Sequence, residues 1–242
     1  SACLARLLSA RRELSEDAPL RERIAGRIGL PLAGTAAPVD VLTVLARLLD
    51  AAGADRIPRP WGRSVACYYG CLLVRPPELL PDERTEDPQR MDDILRRIGA
   101  HPVAWSFKTE CCGAGLSVAR TDLVARLCRP IVEDAVRRGA EAIVVACPMC
   151  HSNLDMRRPE IEREAGRDLD IPVLYVTEAV GLALGLAPKR LGLHRHDQHR
   201  DEHPGDGPTR PASLQPGGHG RGGGEPEYHA RCGRRDDGDD DQ

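Results

Sequence analysis

Residues 142–146, Ala-Ile-Val-Val-Ala, form an unbroken apolar run that stops directly on Cys147-Pro148-Met149-Cys150. A strand with one wet face alternates apolar and polar residues. A short run without alternation is expected of a strand covered on both faces. A parallel sheet between two helix layers meets that condition, because each crossover lays a helix over the sheet. The run therefore constrains the whole chain, and it sets two cysteines at a strand's carboxyl end.

The flanking sequence supplies the rest of the alternation. Ser64–Tyr68 is a strand candidate, followed by a loop with Gly70, Cys71, Pro76 and Pro77. Residues 88–98 carry Met91, Ile94, Leu95 and Ile98 at helical spacing, and Gly99 is placed to close that helix in a left-handed cap. Residues 102–105 predict a second short strand, with Cys111, Cys112, Gly113 and Gly115 in the loop beyond it. Thr121 is expected to cap a helix to about Arg138, with Pro130 as a kink point and Gly139 at its end. A helix after Cys150 is expected to reach about Ala165. Residues 173–176 predict a further strand, and Thr177 the cap of a helix through Leu186. Strands alternating with helices give an α/β fold, a parallel-sheet domain with helices on both faces.

Outside that block the chain changes character. Residues 1–63 read as helical. Leu4, Leu7, Leu8 and Leu14 form a loose stripe; Val41, Leu42, Val44, Leu45, Leu48 and Leu49 form a stronger one between Pro38 and Gly53. Pro58 and Pro60 mark a linker. Residues 194–242 hold six of the eight histidines, clustered glycines and an acidic end. Their few apolar residues cannot offset the entropy of ordering, so a disordered tail is expected, native or the product of a shifted reading frame. Its histidines are capable of adventitious metal binding.

Bulk properties exclude some classes. The net charge is −3 with 29% charged residues, and no basic excess points to nucleic acid. No run of about 18 apolar residues exists, so no membrane span is expected. The start carries no secretory signal. The first residue is Ser rather than Met, as expected of a fragment or a processed product.

Nine cysteines remain to be explained. Two are adjacent and two form a C-x-x-C. Adjacent cysteines rarely bridge each other, because the geometry is strained. The spacing favours metal ligation in a reducing, cytoplasmic compartment over a disulfide scaffold. Cys71, the pair Cys111 and Cys112, and the pair Cys147 and Cys150 each follow a strand candidate. In a parallel sheet the loops at the strand carboxyl ends gather on one edge. Thiolates suit zinc or iron–sulfur clusters. A structural zinc site takes four ligands, which five candidates overfill; a cluster has several irons to ligate. The glycines at 70, 113 and 115 would let the backbone pass close to a bulky inorganic core. A redox dithiol at the C-x-x-C leaves Cys71, Cys111 and Cys112 unexplained. Cys128 and Cys67 read as packed residues, with Cys67 an alternative ligand, and Cys3 and Cys232 as thiols without a role.

Three segments then agree in order with one family: CYYGCLLVRPPE at 67–78, KTECCG at 108–113 and CPMCHSNLD at 147–155. Together they resemble the B subunit of heterodisulfide reductase, whose signature is the cysteine-rich CCG domain. The gaps between the cysteine groups, 39 and 34 residues, are close to the family's spacing. The resemblance implies a noncubane [4Fe–4S] cluster held by Cys71, Cys111, Cys112, Cys147 and Cys150. Family members carry two such domains in tandem. On that pattern residues 64–193 are the second domain, residues 1–63 a helical remnant of the first with a linker, and 194–242 the tail. A second cluster is then expected in the full-length protein, and this fragment is expected to be inactive alone.

The implied activity is reduction of a disulfide, such as CoM-S-S-CoB, accepted between two clusters. The implied partners are the other heterodisulfide reductase subunits: the ferredoxin-like C subunit and the flavoprotein A subunit. A disulfide flanked by anionic groups needs cations or donors at the cluster mouth. Lys108, Arg75 and His151 are the candidates, His151 as a proton donor. Two other readings stand beside this one. The first is a CCG electron-transfer component of a succinate-, glycolate- or lactate-oxidising complex. The second is a zinc-stabilised interaction module.

Overall fold

The computed structural model describes residues 2–32, 37–53, 57–75 and 84–196; most of the expected tail, with Cys232, lies outside the described residues. The first four residues of the apolar run form a strand with every residue buried. It is β3 (Ala142–Val145) of a four-stranded sheet with β1 (Ser64–Tyr68), β2 (His101–Pro102) and β4 (Val173–Tyr175). All pairings are parallel and the order is β2-β1-β3-β4. The fold is α/β.

Period-two alternation splits the strands between two cores. Val65 and Cys67 of β1, with Val144 and Leu174, face a layer built from α3 (Val41–Ala52), α4 (Arg90–Arg97) and α8 (Val176–Ala183). Ala66 and Tyr68, with Ile143, Val145 and Val173, face α5 (Thr121–Arg137), α6 (Pro148–Asp155) and α7 (Arg158–Ala165). The faces follow from the single-handed crossover rule. The chain steps outward from β1 to β2 with α4 on one face. It then steps back across β1 to β3 and on to β4, with α5, α6 and α7 on the other. Connections from the neighbours β1 and β3 therefore diverge to opposite faces, which opens a crevice at their carboxyl ends.

Helix α1 (Ala2–Glu16) and α2 (Ala18–Ile28) precede this body, with Asp17 capping α2 through the Leu20 amide. Of the expected leucine stripe in α1, Leu4 is buried and Leu7 is exposed. In α3, Leu42, Leu45 and Leu49 are buried while Val44 and Leu48 face outward. A short helix α9 (Pro188–Leu191) and a 3-10 turn (Leu193–Arg195) end the described chain.

Several local expectations shift. The strand expected at 102–105 ends at Pro102; Trp105 is instead a core residue whose indole N–H donates to the Cys67 carbonyl at 3.2 Å. Thr121 is the first residue inside α5 rather than its cap, and α5 runs through Pro130 without ending. The helix expected from Cys150 to Ala165 is two helices. Pro159, second in α7, lacks the amide that would bond to Asp155 and its ring meets that carbonyl, so the chain breaks at 156–157. Thr177 does not cap α8. The Glu178 carboxylate does, accepting from the Tyr175 amide at 2.8 Å. The segment read as tail from 194 starts inside the fold, with His196 buried.

Candidate metal centre

Three loops leave the sheet edge beside the crevice, and each brings cysteines. The first follows β1. Tyr68, its last residue, sends its hydroxyl to the Glu110 carbonyl at 2.7 Å and so fixes the chain just before Cys111. The next two amides, of Tyr69 and Gly70, both donate to the Lys108 carbonyl, at 2.8 and 3.1 Å. The first loop is thereby sewn to the second. Gly70 has φ +65°, and a Cβ there would sit 2.7 Å from Cys150 Sγ. Only glycine lets the backbone cross the sulfur this closely.

The third loop is one turn of α6. Cys147 is its N-cap residue, Pro148 occupies the first helical position, and the Cys147 carbonyl takes the His151 amide at 3.0 Å. Cys147 and Cys150 therefore lie at the positive end of the helix dipole, which favours thiolates. Cys150 Sγ is 3.6 Å from Cys112 Sγ. The Cys111 sulfur accepts the Gly113 amide at 3.3 Å. Cys112, Cys147 and Cys150 are buried, Cys71 is half-buried and Cys111 is exposed. The five thiols are electrically one group. The Cys150 hydrogen bond holds Cys112 down to about 7, against burial and with help from the Asn153 amide and the Ala114 N–H. Sharing with Cys112 and Cys147, reinforced by burial, drives Cys150 up. Burial and the neighbouring Cys111 sulfur push Cys71 up to about 11.

Asn153 was not singled out from sequence. It lies three residues after Cys150 on α6, hence on the same helix face. Its amide donates to the Cys112 carbonyl at 2.9 Å and toward Cys112 Sγ at 3.6 Å. Ser117 holds it in place through a hydroxyl bond to Asn153 Oδ1 at 2.9 Å. Cys128 is fully buried and donates to the same Cys112 carbonyl at 3.5 Å. Cys67 sits in the opposite core, beyond the sheet from Cys112, Cys147 and Cys150.

The three expected mouth residues have distinct places. Lys108 turns its ammonium inward, 3.0 Å from both Asp87 and Asp92 and 3.2 Å from the Pro88 carbonyl. Burial would lower its pKa, but the two carboxylates raise it, so it stays charged. Asp92 also accepts from the Tyr69 hydroxyl, whose oxygen in turn takes the Met91 and Asp92 amides and caps α4. Arg75 is exposed and pairs with exposed Glu86 at 3.4 Å. His151 is buried; its ring stacks on Tyr175 with 4.2 Å between centroids, and its Nε2 lies 3.2 Å from the Val173 carbonyl.

Five soft donors, a backbone that approaches one sulfur with no side chain, and amides aimed at two others fit a thiolate-bound metal cluster better than any single ion. Glycines 113 and 115 contribute differently from Gly70. A Cβ at Gly113 would meet Leu127 at 3.0 Å, and one at Gly115 meets nothing.

Comparison with known proteins finds similarity over the same stretch of chain. The family described as the cysteine-rich domain, CCG, matches residues 65–155 and so contains all five thiols. The B subunit of the ferredoxin/F(420)H(2)-dependent CoB-CoM heterodisulfide reductase of Methanosarcina acetivorans is 30% identical over 205 residues, 80% of this chain and 67% of that protein. The B subunit of the ferredoxin:CoB-CoM heterodisulfide reductase of Methanosarcina mazei is 29% identical over 203 residues, with the same coverage. The membrane anchor of the 8-methylmenaquinol:fumarate reductase of Wolinella succinogenes is 28% identical over 198 residues, 81% of this chain and 69% of that one. Among solved structures, a hypothetical protein from Helicobacter pylori shares the fold, with a TM-score of 0.59 at 12% identity over 79% of this chain and 35% of its own.

Proposed function

The chain belongs to the family of heterodisulfide reductase B subunits, and on that premise we propose that it is the iron–sulfur component of a complex that reduces a disulfide. One observation carries the proposal: three loops bring five thiols together, with Cys150 Sγ 3.6 Å from Cys112 Sγ, Cys71 beside Cys111 and Cys147 beside Cys150, and with so little room at Gly70 that a Cβ there would sit 2.7 Å from Cys150 Sγ. Cys71, Cys111, Cys112, Cys147 and Cys150 are the proposed ligands, and a noncubane [4Fe–4S] cluster the proposed cofactor. When bound, such a cluster supplies single electrons and iron sites with affinity for sulfur.

The chain's own residues do the rest. The hydrogen bond from Cys150 lowers the Cys112 thiol from its ordinary range, which favours its binding metal as a thiolate. Asn153 and the Gly113 amide donate to ligand sulfurs and offset their negative charge. The exposed sulfur of Cys111 and half-buried Cys71 form the accessible lip, where a disulfide such as CoM-S-S-CoB would approach. Arg75, exposed four residues beyond Cys71, is proposed to meet an anionic substituent on that substrate. Lys108 acts through position: its carbonyl sets the Gly70 turn and its ammonium locks the loop to α4. The proposed partners are an electron-donating, ferredoxin-like C subunit and a flavoprotein A subunit, in a cytoplasmic, reducing setting. No helix among the described residues is long and apolar enough to cross a membrane.

The Wolinella relative favours a second reading, in which the same cluster passes electrons within a fumarate-reducing type of complex and meets no disulfide. Anaerobic reconstitution tests the common part. About four iron and four labile sulfide per chain are expected; one zinc without sulfide would refute it. Viologen-driven cleavage of a disulfide in the assembled complex separates the two readings.

A further inference from the structure

Behind the C-x-x-C turn lies a second group of donors that the thiol site does not use. His151 and Asp155 stand one helical turn apart on α6. His196 follows the last 3-10 turn and closes on them, its ring edge-on to His151 with 4.7 Å between centroids. One ligand atom from each of His151, Asp155 and His196 lies within 4.8 Å of the other two, and all three residues are buried, at 8%, 2% and 8% exposure.

The hydrogen bonds set the tautomers. His151 Nε2 faces the Val173 carbonyl, which can only accept, so that nitrogen carries the proton. His196 Nε2 faces Glu178 Oε1 at 3.1 Å, and the same reasoning applies. In a neutral ring each Nδ1 then keeps a lone pair. The Nδ1 of His196 is buried without a hydrogen-bond partner. Stacking on Tyr175 fixes the plane of the His151 ring. Metal-binding histidines have this arrangement: one nitrogen donates to a carboxylate or backbone carbonyl, and the other faces the ion.

We propose that His151, Asp155 and His196 form a second metal site, separate from the thiols, that holds one zinc ion. Two neutral imidazoles and a carboxylate are a borderline donor set, which suits zinc better than calcium or magnesium. Donors around tetrahedral zinc sit about 3.3 Å apart, given metal–ligand bonds of about 2.0–2.1 Å. Side-chain adjustments of about an ångström would bring these three together. With three protein ligands the ion keeps a fourth position for a water molecule, and it ties the His196 segment to α6, the helix that presents Cys147 and Cys150. The site requires nothing of the cluster's type or activity.

The test uses the full chain, iron-loaded so that the thiols are occupied, equilibrated with zinc and freed of excess. Zinc content and zinc K-edge absorption are then measured. One zinc per chain is expected, with imidazole nitrogen and oxygen neighbours, falling at least tenfold in His196→Gln with unchanged iron content and helicity. Zinc held only by sulfur, at about 2.3 Å, would overturn the proposal. So would zinc retained fully by His196→Gln, which leaves the histidines beyond residue 196 to bind it. Asp155→Asn gives the same readout should His196→Gln load iron poorly.

Discussion

At the scale of single residues, Gly70 and Cys128 bracket what the thiol site tolerates. Gly70→Ala places a methyl on Cys150 Sγ and asks an L-residue to hold φ +65°. The backbone term alone costs about 1–2 kcal/mol. We expect a variant that folds with reduced stability and retains little iron, read by denaturant titration and iron content; normal iron loading would contradict the cradle assigned to Gly70. Cys128→Ala is the opposite case. The residue lies on the buried face of α5 and donates to the Cys112 carbonyl rather than to a sulfur. A loss of about 1 kcal/mol with iron and sulfide unchanged is expected. Loss of iron would make Cys128 part of the site. Sequence spacing pointed to the five thiols but not to Asn153, because asparagine carries no metal-binding pattern of its own. Its helical offset from Cys150 was the only signal.

At the scale of elements, caps decide where helices begin, and they were the least legible feature. Threonine at 121 and 177 has the chemistry of a cap, yet Glu178 and the distant Tyr69 hydroxyl supply caps for α8 and α4. The α8 box starts on a tyrosine rather than on Ser or Thr, so its spacing does not announce itself, and the Tyr69 hydroxyl lies 22 residues before the Met91 amide it caps. Strands were clearer, since β1 and β3 show their apolar runs directly, whereas β2 ends early because Trp105 turns inward to the Cys67 carbonyl. The cap of α3 gives a pH prediction. Burial alone would raise the Asp40 carboxyl, but the Thr43 amide and hydroxyl and the Arg90 guanidinium hold it below its ordinary value. A depressed folded pKa contributes stability above the unfolded value of about 3.9, lost as pH falls through the folded value. Asp40→Ala is expected to lose about 1 kcal/mol at neutral pH. The difference from the unsubstituted protein should narrow below about pH 4. Equal differences at pH 7 and pH 3, by thermal unfolding, would remove the charge from the account.

At the scale of the whole molecule, the sheet carries two cores of different kinds. The α3–α4–α8 side is closed by side chains alone, while Cys112, Cys147 and Cys150 belong to the core on the other side. Removing iron under reducing conditions is expected to lower the melting temperature by roughly 5–10 °C. Far-UV circular dichroism should stay near its original value, since no strand depends on the metal. A collapse of helical signal would mean the cluster nucleates the fold. The overall α/β plan was legible because a parallel sheet writes its burial into the strands. The His196 segment was hidden, because its histidine-rich composition resembles the residues that follow it.

The graded exposure of the thiols has a practical consequence. Cys111 stands open, Cys71 is half-covered and the other three lie inside. Within the site, damage by air or alkylating reagents therefore has a direction: it starts at Cys111 and works inward. A preparation that has lost only its outermost thiol keeps its fold, its helix content and most of its sulfur. Such a sample would pass the usual checks of purity while already spoiled, and a mass shift on the peptide bearing Cys111, as distinct from one on exposed Cys3, is the earliest sign of damage to the site.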